Sequence, residues 1–209
     1  MTSSLIRQVN KPHPLLNTNL LPYDGEAYLD NQYFSASESS DYFNSLKDEI
    51  HWEHKEIRMY GRFVLQPRLI AWYGDPDITL KYSSLNLTST PWTATLTRIK
   101  DAIEEDLGYS FNGVFLNYYR NGHDYMGWHR DNERVHGLQP LIISVSFGAT
   151  RLFKFRHYQQ KDIVKNLKLN SGSLLIMKGD TQDNWTHSLP KSLRVTEPRI
   201  NLTFRNIYP

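Results

Sequence analysis

The sequence predicts a mainly β, α+β fold: a double-stranded β-helix, or jelly roll, with helices packed on one side. Two observations predict it. Two stretches in the first half repeat apolar residues at helical spacing. From Ser110 onward, short β-rich runs follow one another, separated by Gly, Asn and Asp clusters. Two helices followed by many short strands suit a barrel or sandwich covered on one side.

The elements follow in chain order. Residues 1–34 read as an irregular arm lying on the domain, with Pro12, Pro14 and Pro22 among scattered polar residues. SASESSD (35–41) reads as a turn or cap cluster leading into a helix that carries Phe43, Leu46 and Ile50. EIRMYGRFVLQPRLIAWYGD (56–75) reads as short strands broken by Gly61, Pro67 and Gly74. A second helix is expected over 91–107, with Thr90 as cap, Pro91 in the first position and Gly108 as the stop. Its Trp92, Leu96, Ile99 and Ile103 form one buried stripe. The β-rich runs are 111–119, 141–148, 151–157, 163–169, 172–179 and 199–207. Residues 35–209 are thus read as a single domain.

The 209 residues suit one domain with a small extension. Tyr 13, Phe 9 and Trp 5 supply much of the burial and argue against a disordered chain. The absence of cysteine excludes a disulfide scaffold, a thiol nucleophile and a thiolate zinc site. Any metal must therefore sit on His, Asp or Glu. No apolar stretch approaches membrane-spanning length, and MTSSLIRQVNKPHP lacks the apolar core of a signal peptide. The expectation is a monomer with no membrane partner, not secreted, cytoplasmic in a prokaryote and nuclear in a eukaryote. A net charge of +2 permits a polyanionic partner without demanding one.

The chemistry centres on His129-Arg130-Asp131, with His187 following later. Side chains alternate on a strand, so His129 and Asp131 point the same way. His187, on another strand or its exit loop, completes a three-ligand face. Two His and one carboxylate with open positions is the ligand set of non-haem iron(II) oxygenases. By itself the pair also reads as a surface or capping arrangement. His13, His51, His54, His123, His136 and His157 lack such a pattern and read as ordinary.

A second pattern joins it. In RINLTFR, Arg199, Asn201, Thr203 and Arg205 alternate with Ile200, Leu202 and Phe204. A polar face turned to solvent makes this an ordinary half-exposed strand. A polar face turned inward makes two buried arginines that need acid partners, and a small dicarboxylate supplies two. Asn117 and Tyr119 share one face of their own strand, as a donor pair for a carboxylate or as an edge-strand polar pair.

The runs NYYRNGHDYMGWHRDNE (117–133), SVSFGATRLFKF (144–155), GSLLIMKGDTQDNWTHSLP (172–190) and EPRINLTFR (197–205) together resemble the AlkB family of dioxygenases, above all its DNA-repair members. The similarity runs from about residue 56 to the C-terminus. It implies His129, Asp131 and His187 as ligands of Fe(II). It implies that Asn117, Tyr119, Arg199, Asn201 and Arg205 hold the co-substrate 2-oxoglutarate, with dioxygen as the oxidant. It implies a nucleotide-recognition lid at about 56–90 and a jelly-roll core at about 110–209.

The resemblance also implies the reaction. N-alkylated bases such as 1-methyladenine and 3-methylcytosine in DNA would be demethylated, releasing formaldehyde as 2-oxoglutarate becomes succinate and CO2. An AlkB-like demethylase of RNA or of protein side chains is the alternative. Both lesions are cationic, and Glu133 matches the family's lesion-contacting acid. Tyr60 sits where relatives place an aromatic wedge, and Tyr82 where an aromatic lines the base pocket. The target atom is on the pairing edge, so the base must leave the stack. Arg62, Arg68, Arg151, Lys154, Arg156 and Lys161 are candidates for phosphate contacts. The HYQQKD loop (157–162) is shorter and less basic than in relatives that grip both strands, and Leu80 replaces a pocket aromatic.

Overall fold

The computed structural model describes residues 18–59, 61–82 and 85–208. Its core is two antiparallel sheets facing one another. The major sheet runs β1 (Glu26–Asp30), β12 (Ser173–Lys178), β9 (Ile142–Gly148), β14 (Arg199–Arg205), β7 (Gly113–Tyr119), β4 (Leu69–Gly74). The minor sheet runs β11 (Val164–Leu169), β10 (Arg151–His157), β13 (Trp185–Leu189), β8 (Met126–His129). Two hairpins stand apart: β2 (Glu56–Met59) with β3 (Arg62–Leu65), and β5 (Thr79–Tyr82) with β6 (Leu85–Thr88).

Strand alternation sorts the side chains into two layers. From β14, Ile200, Leu202 and Phe204 enter a cluster with Val145 of β9 and with the helices α1 (Ala36–Glu49) and α2 (Ala94–Leu107). Leu46 supplies the α1 contact, and Leu96, Ile99 and Ile103 supply that of α2. On the opposite face, Ile142, Leu175 and Met177 meet Phe153, Phe155, Trp185 and Leu189 between the sheets. Each such large apolar side chain contributes about 1.5–3 kcal/mol when buried. The predicted jelly roll with helices on one side is the observed fold.

Four elements differ from expectation. Residues 26–30 are an edge strand of the major sheet rather than part of an irregular arm, with Tyr28 opposite Ile176. The Asn19 side chain makes the preceding turn by accepting from the Leu21 and Ala27 amides and donating to the Gly25 carbonyl. Nearby prolines hid so short a strand from sequence reading. SASESSD belongs mostly to α1 itself. Ser35 alone is the cap: its hydroxyl accepts from the Glu38 amide, and the Glu38 carboxylate accepts from the Ser35 amide. Replacing Ser35 by alanine is expected to cost about 1 kcal/mol of unfolding free energy. Denaturant titration checks this, and an unchanged midpoint contradicts it.

Helix α2 begins three residues later than expected. Thr93 caps it by accepting from the Leu96 amide, while Gly108 ends it in the left-handed region as foreseen. Thr90 precedes a proline, which favours extended backbone, and it instead exchanges hydrogen bonds with the end of β4. Finally, β8 and β13 were absent from the expected runs, and they are the strands that carry the two candidate imidazole ligands.

Candidate active site

His129 is the last residue of β8, and its direct cross-strand partner is His187 of β13. Their ring centroids lie 4.1 Å apart. Asp131 lies beyond the strand end, so alternation alone does not aim it. Its amide donates to Gln182 Oε1 at 2.9 Å, and Gln182 is buried on the short helix α3 (Thr181–Asn184). That hydrogen bond turns the carboxylate back toward the imidazoles. Asp131 Oδ2 sits 3.6 Å from His187 Nε2, and Oδ1 sits 4.0 Å from His129 Nε2. One candidate ligand atom from each of the three residues lies within 4.8 Å of the others.

The protonation states suit a cation. Burial first, and then the neighbouring His187, push the pKa of His129 down to about 4. Its Nδ1 lies 2.9 Å from the Gly127 carbonyl, which can only accept. The proton therefore sits on Nδ1 and the Nε2 lone pair faces the acid. Burial would raise the Asp131 pKa, but the Arg205 guanidinium and the two imidazoles outweigh it and hold the carboxyl well below its usual range. Two imidazoles and one carboxylate make an N2O donor set with one net negative charge. Phe153 stacks on His187 at 5.5 Å and shields it from solvent.

Across the pocket stands the wall expected from RINLTFR. Register places Arg199 beside Tyr119 and Asn201 beside Asn117. The polar face points inward, because the aliphatic face is taken by the helices. Arg199 is 2% exposed, and its Nη2 donates to Ser146 Oγ at 2.8 Å. Its Nε has no partner, and no carboxylate pairs with it among the described residues. Burial, reinforced by Arg151 and partly offset by Tyr119, pulls its pKa to about 10. It remains a cation at neutral pH, and the pocket's one carboxylate, Asp131, is turned to the imidazoles and Arg205 instead. Asn201 donates to Ser144 Oγ and to the Val145 carbonyl, each at 2.9 Å. Arg205 reaches toward Asp131 Oδ2 at 3.7 Å. These residues line a single pocket that opens to solvent. A buried guanidinium in want of an acid, beside a metal-competent triad, fits a small diacid that also chelates the metal.

Other expectations need correction. Arg68 is 3% exposed and donates from Nε to Asn117 Oδ1 at 2.5 Å, so it lines the pocket rather than meeting phosphates at the surface. Arg151 is buried too, and donates to the carbonyls of Asn121, Asp124 and Pro190, which pins loops instead of binding nucleic acid. Leu80 is core, packed with Ile70, Trp72 and Phe115. Arg62 and Lys161 are exposed, and Lys154 is half-buried. Arg156 is half-buried, with its guanidinium 4.2 Å from the Trp128 ring. Glu133 is half-buried, with Oε2 3.2 Å from His136 Nε2. Tyr60 lies outside the described residues, as does the side chain of Tyr82. His136, read as ordinary, is buried between Glu133 and Arg205. Gln182 was missed altogether. Neither has a spacing signal for its long-range contact, because Arg205 lies 69 positions from His136 and Asp131 lies 51 from Gln182.

Residues 26–205 match the 2OG-Fe(II) oxygenase superfamily. The bovine (Bos taurus) alpha-ketoglutarate-dependent dioxygenase alkB homolog 3 is 40% identical over 187 residues, which cover 85% of this chain and 64% of that one. The mouse (Mus musculus) DNA oxidative demethylase ALKBH2 is also 40% identical over 187 residues, covering 84% of this chain and 78% of that one. The chain belongs to the AlkB branch of the 2OG-Fe(II) oxygenases. This oxygenase thus spans just under two thirds of the bovine relative's length. The solved structure of OsALKBH1 superposes with a TM-score of 0.59 at 15% identity, over 86% of this chain and 97% of that one, and supports the fold. The iron and 2-oxoglutarate that give the family its description find a fitting donor set in His129, Asp131 and His187 and a fitting cationic wall around Arg199.

Proposed function

We propose that this oxygenase oxidatively removes alkyl groups from N-alkylated bases such as 1-methyladenine and 3-methylcytosine in DNA. Formaldehyde is released as 2-oxoglutarate becomes succinate and CO2. The observation that carries the reading is the buried, acid-free Arg199 facing a two-imidazole, one-carboxylate triad inside one pocket. The names of its relatives, among them a DNA oxidative demethylase, support the substrate class.

Bound iron supplies the activation of dioxygen and the oxidation of the alkyl carbon; the protein supplies position and charge. His129, Asp131 and His187 would hold the metal, a three-ligand set that leaves coordination positions for other ligands. Arg199 takes the far carboxylate of 2-oxoglutarate, while Asn201 and Arg205 border the end nearer the metal. Phe153 and Met177 give the pocket part of its apolar lining. Glu133 offers a carboxylate to a cationic base. The hairpins between 56 and 88 are the lid that receives the extruded nucleotide, and Phe63 stands 72% exposed on one of them. Arg156 over Trp128 presents a stacked cation and aromatic on the minor sheet, a pairing suited to single strands.

The test is formaldehyde release from DNA oligonucleotides carrying each lesion, single- and double-stranded, beside methylated RNA and a methyl-lysine peptide. Release from the DNA lesions, matched by succinate, is expected. Release from the RNA or peptide alone contradicts the reading.

A further inference from the structure

We propose that His136 is a positioning residue that couples occupancy of the 2-oxoglutarate site to the orientation of Glu133; the inference rests on the role given to Glu133 above. His136 closes a 3-10 turn (Arg134–His136) and is 2% exposed. Its Nε2 has two close neighbours. Arg205 Nη1 lies 3.1 Å away, and Glu133 Oε2 lies 3.2 Å away. A guanidinium can only donate, and an ionised carboxylate can only accept. One ring nitrogen cannot serve both at once. To accept from Arg205 it must be bare, with the proton on Nδ1. To donate to Glu133 it must carry the proton itself.

The described atoms correspond to the first of these two states. Arg205 is directed at Nε2, and Glu133 Oε2 is left without a hydrogen bond. Arg205 belongs to the same wall as Arg199 and Asn201, and its other terminal nitrogen faces Asp131. A diacid in the pocket competes for the donors of Arg205, and charge-assisted bonds to a carboxylate are stronger than a bond to a neutral ring. Once Arg205 turns to the diacid, the ring gives up its Nδ1 proton to solvent and takes one from solvent at Nε2, staying neutral, and Nε2 then donates to Glu133. The acid is then held in place for a cationic base. The consequence is a coupling: co-substrate first, cationic base more tightly afterwards.

Binding reads this without turnover. With Mn(II) in place of iron, the affinity for a single-stranded oligonucleotide bearing 3-methylcytosine is measured by fluorescence anisotropy, with and without 2-oxoglutarate, against the unmodified oligonucleotide. In the unaltered protein, 2-oxoglutarate is expected to strengthen lesion binding about tenfold, within the usual range of coupling between sites. His136→Leu should bring that factor to about one while still binding 2-oxoglutarate. His136→Gln should also bring the factor toward one, but with lesion binding strong in both conditions, because its amide oxygen accepts from Arg205 while its nitrogen donates to Glu133 whether or not 2-oxoglutarate is bound. His136→Asn carries the same amide one bond short and should lose the coupling, which keeps the test decisive should the leucine variant not fold. Coupling that survives in the leucine or asparagine variant overturns the inference alone. A protein that shows no preference for the lesion at any 2-oxoglutarate concentration overturns the proposed function and the inference with it.

Discussion

Replacing His187 by alanine abolishes iron-dependent turnover and leaves the jelly roll folded. The imidazole is one of three side chains able to hold the metal, and it pairs directly with His129 across β13 and β8. Removing it leaves one nitrogen and one carboxylate. Losing even a group that orients a ligand typically costs about 10- to 100-fold in metal affinity or activity, so loss of a ligand exceeds that range. The fold survives because β13 keeps Trp185 and Leu189 in the inter-sheet core. The gap left against Phe153 and Phe155 resembles other core truncations, at roughly 2–5 kcal/mol. Metal content after gel filtration and succinate formation check the two halves separately. Full succinate formation by the alanine variant would remove His187 from the ligand set.

The second large effect concerns Arg199. Its alanine variant is expected to need about 10- to 150-fold more 2-oxoglutarate for half-maximal turnover. That range follows from losing charge-assisted contacts worth about 1.5–3 kcal/mol. Lysine keeps the charge without the planar fork and should recover only part of the affinity. Stability should move the other way. Arg199 is a buried cation with no acid partner among the described residues. Replacing such a charge by an apolar side chain of similar length relieves its desolvation. Arg199→Met is therefore expected to melt at or above the temperature of the unaltered protein when no diacid is present. The advantage should shrink or reverse once 2-oxoglutarate is added, because the ligand stabilises only the protein that binds it. An arginine that served the fold instead would show the opposite order: a lower melting temperature with unchanged co-substrate affinity.

The sequence carried the interior of the site better than its rim. The two-residue alternation in RINLTFR by itself places Arg199, Asn201 and Arg205 on one face. What alternation could not decide was which face turned inward, because both faces of β14 are buried. The helical stripe of Leu96, Ile99 and Ile103 decides it physically, by covering Ile200, Leu202 and Phe204. The triad was legible for a partly different reason. His129 and Asp131 do converge, but the strand ends at His129, and Gln182 completes the geometry from a separate helix. The sequence reading places His129 on a strand and His187 on a strand or its exit loop, but gives neither strand its bounds, because MGWH and WTHSL mix glycine and polar residues. His136 escaped for a deeper reason. Its link to Arg205 spans 69 positions and follows no period. Residues 26–30 show the same limit, since their pairing partner lies at the far end of the chain.

The most direct measurement is a crystal structure of the protein with Mn(II) and N-oxalylglycine, an unreactive mimic of 2-oxoglutarate. One ion bonded to His129, Asp131 and His187, with the far carboxylate of the mimic against Arg199, is the predicted result. An ion bound elsewhere, or a mimic whose far carboxylate lies in open solvent, would contradict the account.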